Sequence, residues 1–344
     1  MTDSAADTGR ARPARLKDIA QALKVDVSTV SKVLSGGGIS VKPELRQAIV
    51  DEARRLNYRP HALARNLRTQ RAGALGILLP NLMNPVYSAI VRGAVRRAEE
   101  LGYVMLVADV DDEASSTSVY LKLVSERRVD AMIIAVSAET KGFVEAIHNH
   151  PIPHLFVNRR SRIGGSSVTV DDFAAGRLAA QTFAEYGHRR LAFIGASDEL
   201  DTAQRRRAGF FKGVKDMGLP PFVDAVGAYS RRGGYDSMMS LIDAQWSVTG
   251  VFASNLLVGI GALAAAHARG VAVPGAMSII TLDAEDALYT SPPLTAIQTS
   301  LGEMGARAVE EVDAMFHGQD SKDVVIETPP RLILRGSLAA PPQT

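Results

Sequence analysis

The chain has no cysteine among its 344 residues, one tryptophan, and aromatic side chains at only 6% of positions. Without cysteine there is no disulfide framework and no thiolate chemistry, a composition that suits the cytosol. Apolar runs long enough to cross a bilayer are also missing; the longest, such as Ala74–Pro80, have the length of buried strands. The first 14 residues, MTDSAADTGRARPA, contain no apolar segment of the secretory type and read as a disordered, weakly basic tail. There is no G-x-S-x-G, no H-E-x-x-H and no P-loop. The expectation is a cytoplasmic, non-enzymatic globular protein, and the 46% of hydrophobic residues suffices for a substantial core.

Two short patterns imitate functional motifs. Gly259-Ile260-Gly261-Ala262-Leu263-Ala264 matches the dinucleotide pattern GxGxxA, but its glycines fall inside an expected helix, Leu256–Arg269, not in a strand-to-helix turn. Close helix–sheet packing explains them better. His148-Asn149-His150 flanks a helix end before Pro151 without carboxylate company, so it reads as a solvated terminus. Neither a metal nor a cofactor is expected.

What is present is unevenly charged. Residues 1–72 carry 14 Lys/Arg against 7 Asp/Glu, whereas the remaining 272 carry 25 against 30. A polyanionic partner therefore belongs at the N-terminus. There, LKDIAQALKVDVSTVSKVL (Leu16–Leu34) reads as two short helices joined by a tight turn. Ile19, Ala20 and Leu23 form the buried face of the first, and Asp26 is a good N-cap for the second. On the second helix Val30, Val33 and Leu34 face inward, while Val27, Ser28, Ser31 and Lys32 point outward. Short, mostly uncharged outward side chains suit contact with base edges in a helix-turn-helix, although two amphipathic helices with a turn also occur as an ordinary hairpin. Pro43 opens a third helix to about Leu56, with Leu45, Ile49, Ala53 and Leu56 inward, and Pro60 starts a further short helix in NYRPHALARNLR. The latter is too short to be stable alone in water.

From Gly73 apolar strands alternate with amphipathic helices. Strands are expected at Ala74–Pro80, Tyr103–Ala108, Ala131–Ala135, His154–Asn158, Ser167–Val170, Leu191–Gly195, Gly250–Ala253 and Met277–Thr281. Helices are expected at Pro85–Leu101, Glu113–Arg127, Glu139–Asn149, Ala174–Tyr186, Ala203–Met217, Tyr235–Ala244 and Leu256–Arg269. This alternation implies parallel sheets covered on both faces, and its length implies two such α/β units with a cleft between them.

With LKDIAQALKVDVSTVSKVL, NYRPHALARNLR and GALGILLPNLMNPVY in this order, the chain closely resembles the lac-repressor (LacI) family of bacterial transcription regulators. Later markers agree: Val170-Asp171-Asp172, Tyr186 to Arg190, Arg206 to Phe210, Ser291 to Thr295, Met304-Gly305 and Leu334 to Ser337. The resemblance implies an all-α helix-turn-helix head and hinge helix, followed by a periplasmic-binding-protein-like core of two doubly wound parallel-sheet subdomains. The divisions it suggests are a tail at 1–14, the head at 15–58, the hinge helix and linker at 59–72, the core at 73–338 and a tail at 339–344. Within the core, one subdomain takes about 73–170 plus 300–325 and the other about 171–299 plus 326–338.

Family members bind pseudo-palindromic double-stranded operators as dimers, and a small molecule in the core cleft tunes the affinity. A repressor acting as a homodimer, with a tetramer as the alternative, is thus implied, and no membrane partner. The family's base-reading positions fall on Val27, Ser28 and Lys32, and Thr29 and Ser31 fit phosphate contacts. Leu67 matches the leucine that wedges into the minor groove, beside Arg65 and Arg68. Cleft-lining candidates are Asn84, Tyr87, Asn158, Arg159, Asp172, Arg206, Asn255 and Asp283. Paired amides and carboxylates with an arginine suit a polyhydroxylated, sugar-like ligand, and Arg159 with Arg206 could hold a carboxylate or phosphate, as in a sugar acid.

Three positions depart from the family pattern. Lys24 stands where the turn usually carries glycine, Arg15 stands at the usual threonine cap, and the Ser35–Val41 loop is one residue longer. Asn255 and Asp283 are followed by Leu256 and Ala284 where aspartates are common, which makes that side of the cleft less polar. A periplasmic-type solute-binding protein without regulatory role is the alternative that the core alone would allow, and a sugar- or nucleotide-processing enzyme is the alternative that the fold alone would allow.

Overall fold

A computed structural model describes residues 14–34, 39–58, 71–110, 113–136, 140–161, 164–196, 200–282 and 285–343. The chain divides into two units, Met1–Gln70 and Arg71–Thr344.

In the first unit, α1 (Leu16–Leu23), α2 (Val27–Leu34) and α3 (Pro43–Arg55) each contribute one fully buried residue, Ile19, Val30 and Ile49. Ala20, Val33 and Ala53 close the cluster, with Leu23, Leu34, Leu45 and Leu56 at its margin. This is the inward set that the periodicity predicts. Lys24 ends α1 in the left-handed conformation (φ 52°, ψ 43°) that the family's usual glycine would adopt freely. The turn is kept, at a cost of about 1–2 kcal/mol for the side chain. Asp26 caps α2 as expected, its Oδ1 accepting from Ser28 N at 2.7 Å. Hydrogen bonds from Ser28 hold the Asp26 carboxyl below its ordinary pKa. At the other departure, Asp18 compensates by accepting from the Arg15 backbone N–H at 2.7 Å.

The second unit runs β1 (Ala74–Leu79), α4 (Pro85–Glu100), β2 (Val104–Asp109), α5 (Glu113–Ser125), β3 (Ala131–Ile134), α6 (Lys141–Asn149), β4 (His154–Val157) and β5 (Ser167–Thr169). It continues through α7 (Asp172–Glu185), β6 (Leu191–Ala196), α8 (Asp201–Asp216), β7 (Val223–Gly227), α9 (Arg231–Asp243), β8 (Gly250–Ala253), α10 (Leu256–Ala268) and β9 (Ser278–Leu282). A 3-10 turn (Asp286–Tyr289), β10 (Thr295–Gln298), α11 (Leu301–Phe316), β11 (Val324–Val325) and β12 (Arg331–Ile333) complete it.

One sheet has the order β11-β5-β4-β3-β1-β2 and is parallel throughout. The other, β12-β10-β9-β8-β6-β7, is parallel except for β12 against β10. Each is covered on both faces. In the first sheet α4 and α11 cover one face and α5 and α6 the other; in the second the pairs are α9 with α10 and α7 with α8. The chain passes between the sheets three times, after β5, after β10 and after β11.

Helix α11 and strands β7, β10, β11 and β12 were not among the elements expected from sequence. β7 reads VDAVG and alternates half-buried with exposed residues at a sheet edge, so its hydrophobic signal is weak. Helix α9 starts four residues earlier than expected, because Ser230 Oγ accepts from Gly233 N at 2.9 Å and holds a Gly-Gly pair inside the first turn. The imitation fingerprint lies within α10, as expected, but only one of its glycines packs on the sheet. A Cβ on Gly259 would meet Thr281, whereas one on Gly261 would overlap the Arg231 carbonyl of α9, so that contact is helix on helix.

The C-terminal segment is sewn to the second sheet. Ser337 Oγ accepts from Thr295 N at 2.8 Å and donates to the Ile279 carbonyl at 2.6 Å. His188, fully buried, lies 2.8 Å from the Ala339 carbonyl through Nε2 and 3.0 Å from Thr249 Oγ1 through Nδ1. The carbonyl can only accept, so Nε2 carries the proton. Phe183 meets the ring edge-on at 5.4 Å. Burial pushes the imidazole pKa below its ordinary value. The unfolded chain then binds the proton first, so this stability is present above the unfolded pKa of about 6.5 and is lost as pH falls below it. Thermal unfolding at pH 5.5 and 7.5 should therefore show a larger loss at the lower pH for the native chain than for His188→Gln. Equal losses would remove His188 from the acid sensitivity.

Candidate functional site

A cavity of about 190 Å³ opens between the two sheets. From the first sheet's side it is lined by Asn81, Asn84 and Tyr87, beyond β1, and by Asn158 and Arg159, beyond β4. From the second sheet's side come Thr202 and Arg206 of α8, Tyr229 beyond β7, and Asn255 beyond β8. Parallel α/β sheets bind ligands at the carboxyl ends of their strands, which is where these side chains converge.

Local structure fixes each of them. Asn84 and Asn255 cap α4 and α10, accepting from Val86 N at 3.2 Å and Val258 N at 2.9 Å. Their amide N–H donors remain for a ligand. Asn158 turns the chain after β4 in the left-handed region (φ 70°), which asparagine tolerates better than most residues. Its Oδ1 is buried without a hydrogen-bond donor.

The two cleft arginines differ. Arg206 is engaged: Nε donates to Asp172 Oδ1 at 2.7 Å, Nη1 donates to the Ser254 carbonyl at 2.9 Å, and the guanidinium lies 5.8 Å from the Tyr229 ring centroid. Among the described residues Arg159, 9% exposed, has one polar contact, Nη2 to Tyr87 Oη at 3.4 Å, and its Nε has no acceptor.

Asp172 is wholly buried and does not line the cavity; it lies behind Arg206. Its second oxygen is 2.8 Å from Arg205 Nη1, close in distance but poorly aligned for a hydrogen bond. Arg205 was not singled out from sequence, yet it ties α8 to the chain's first passage between the sheets. Nη1 donates to the Val170 carbonyl at 2.9 Å, Nη2 to the Asn158 carbonyl at 3.3 Å, and Nε to Asp201 at 3.0 Å.

Two models of known families match, one described as bacterial regulatory proteins of the lacI family at residues 15–61 and one as a periplasmic binding protein-like domain at residues 180–338. The HTH-type transcriptional regulator DegA of Bacillus subtilis is 27% identical over 327 residues, covering 93% of this chain and 96% of its own length. The chain belongs to the lacI family of bacterial regulatory proteins. The HTH-type transcriptional repressor PurR of Pasteurella multocida is likewise 27% identical, over 94% of this chain and 98% of its own. Among solved structures, a lac repressor dimer bound to operator and the anti-inducer ONPF superposes with a TM-score of 0.83 at 22% identity, covering 96% of this chain and all of its own. Like its relatives, this lacI-family chain is a DNA-binding transcriptional regulator with an effector-binding core, and it is not an enzyme.

Of the eight cleft positions expected from the lacI pattern, the structure brings six to the cavity wall: Asn84, Tyr87, Asn158, Arg159, Arg206 and Asn255. Asp172 is buried behind them, and Asp283 lies outside the described residues. Sequence reasoning missed Asn81, Thr202 and Tyr229. Asn81 and Asn84 both follow β1, so the same strand-end argument could have found the first; Tyr229 follows a strand that went unread.

On the head, Val27 (41% exposed), Ser28 and Lys32 lie on the outer face of α2, with Thr29 and Ser31 half-buried. Arg65, Leu67 and Arg68 lie outside the described residues. His148 and His150 sit at the C-terminal end of α6, and no cluster of three metal-ligating side chains occurs among the described residues. No described helix is long and apolar enough to cross a membrane.

A larger, open groove of about 800 Å³ flanks the other side of the start of α4, with Met83, Arg92, Glu285, Thr299 and Arg331 among its walls. An exposed ion pair, Arg92 to Glu285 at 3.5 Å, crosses it. None of its described lining residues carries a buried unpartnered polar atom.

Proposed function

We propose that this regulator represses transcription as a cytoplasmic homodimer on a pseudo-palindromic operator, and that a small polar molecule in the 190 Å³ cavity sets its operator affinity. The observation that carries this is the shared lining, with polar side chains from both sheets meeting across one space. A ligand touching both sides favours one separation of the subdomains over another, and such differential contact shifts a conformational population. The sewn-in Arg205 gives the junction a fixed grip on the first passage between the sheets.

In the proposed operator complex the head at 15–58 reads DNA through Val27, Ser28 and Lys32, with phosphate contacts from Thr29 and Ser31. Leu67, between Arg65 and Arg68 in the hinge at 59–72, acts as the minor-groove wedge. Dimerisation is supported by apolar side chains left open on an edge strand, Val104 (63% exposed) and Val107 (41%) of β2. The lac repressor structure, a dimer on operator, uses the same fold.

Selection from random DNA with the purified full chain tests this reading. The expected product is a palindrome whose affinity falls steeply with salt, by on the order of 10³-fold between about 50 and 200 mM if six or more phosphates are contacted. Selection that enriches no sequence, with or without pools of sugars and nucleobases, would overturn it.

A further inference from the structure

The geometry points to a small hydroxylated oxyanion, a carboxylate- or phosphate-bearing polyol, as the ligand of the cleft, with its charged end on Arg159 rather than Arg206. This rests on the cleft being the effector site. Among the described residues the cavity region holds three cations, Arg159, Arg205 and Arg206, and two anions, Asp172 and Asp201. Both carboxylates are committed to Arg205 and Arg206. Among the described residues Arg159 makes no ion pair, and its single polar contact there is a long one to a tyrosine hydroxyl. A buried cation without a counter-charge is costly, and a planar guanidinium fork matches a carboxylate or phosphate edge. A neutral ligand would leave that charge more deeply buried and still unpaired. An oxyanion supplies the missing partner.

The rest of the wall fixes the remainder of the ligand. Asn81, Asn84, Thr202, Tyr229 and Asn255 are neutral groups able to exchange hydrogen bonds with hydroxyls, and Asn158 Oδ1 has no donor in the unliganded protein. A space of 190 Å³ is equivalent to roughly six water molecules, the size of a single hexose-like unit.

The experiment uses the full-length chain and matched probes at equal concentration: D-glucuronate against D-glucose, D-gluconate against D-glucitol, and glucose 6-phosphate against glucose. Binding is read by thermal shift and calorimetry, and operator affinity is measured separately. The expected result is that acids bind at least about tenfold more tightly than their neutral parents, and that Arg159→Gln weakens the acids by about 10- to 100-fold without weakening the neutral probes comparably. Response to the carboxylates alone, or to the phosphate alone, identifies which oxyanion the site takes. Without ligand, Arg159→Gln should unfold at a higher temperature, since an unpaired buried charge is gone. If that variant fails to fold, Asn158→Asp serves instead, adding a carboxylate to the same cavity wall and shifting preference toward neutral probes. Neutral parents binding as tightly as their acids, or acid affinity surviving Arg159→Gln, would overturn the proposal. An acid that binds through Arg159 without changing operator affinity leaves the ligand class standing and removes allosteric control. A neutral probe that changes operator affinity while acids do not bind does the reverse.

Discussion

Asp172→Ala is expected to destabilise the core by about 3–5 kcal/mol, the usual cost of breaking a buried charge network by deleting one partner. At roughly 2–4 °C per kcal/mol for a domain of this size, calorimetry should record a fall in Tm of about 10 °C. The reason lies in what remains. Asp172 is fully buried and faces two guanidinium groups, Arg206 at 2.7 Å and Arg205 at 2.8 Å. Arg205 keeps Asp201 and two backbone carbonyls when the carboxylate is removed, but Arg206, whose side chain is 5% exposed, loses the charge opposite its Nε. Asp172→Asn retains an acceptor without the charge and should cost less. The double variant Asp172→Ala with Arg206→Met should recover part of the loss, because the buried guanidinium that faced the deleted carboxylate is then gone as well. If the double variant is no more stable than Asp172→Ala, the destabilisation comes from lost packing and not from the charge.

The same helix shows what a sequence can and cannot display. Residues 205–207 are three consecutive arginines, identical on paper. Successive residues on an α-helix point about 100° apart. Arg205 therefore reaches the passage between the sheets, Arg206 enters the buried network, and Arg207 turns to Asp224 at 2.6 Å on the partly exposed side. The family's cleft pattern singled out Arg206 alone; the role of Arg205 depends on the Val170 and Asn158 carbonyls, which come from the strand ends of the other sheet. The six positions that line the cavity were legible from the family's pattern, and hydrophobic runs announced the strands that precede some of them, as with Leu155-Phe156-Val157 before Asn158 and Val251-Phe252-Ala253 before Asn255. Tyr229 was not, because β7 is a half-exposed edge with an aspartate in it. In the head the three-helix core was readable from spacing, and Lys24 marked the turn only as a departure; its left-handed backbone needed coordinates.

Gly209→Ala should be among the most damaging single-methyl additions to the core, costing about 3 kcal/mol or more. Helices α7 and α8 cross with a glycine from each against the other's main chain. A Cβ on Gly209 would overlap the Phe173 carbonyl, and one on Gly176 would overlap the Arg206 carbonyl. Backbone cannot swing aside as a side-chain end can, so the helices must part. Parting them also stretches the contact between Asp172 at the start of α7 and Arg206 on α8, so loss of stability and loss of cleft geometry arrive together. The crossings of α4 with α11 and of α9 with α10 use the same device, through Gly93 and Gly305 and through Gly234 and Gly261. Gly142 in α6 supplies the control, because a Cβ there meets nothing within 4 Å. Gly142→Ala should be neutral or stabilising by up to about 1 kcal/mol through helix propensity. Measured by thermal unfolding on the full chain, the two glycine-to-alanine changes should have opposite signs or differ by several degrees. Similar small effects from both would show that α7 and α8 can separate without cost, and the close crossing would then not be what positions Arg206.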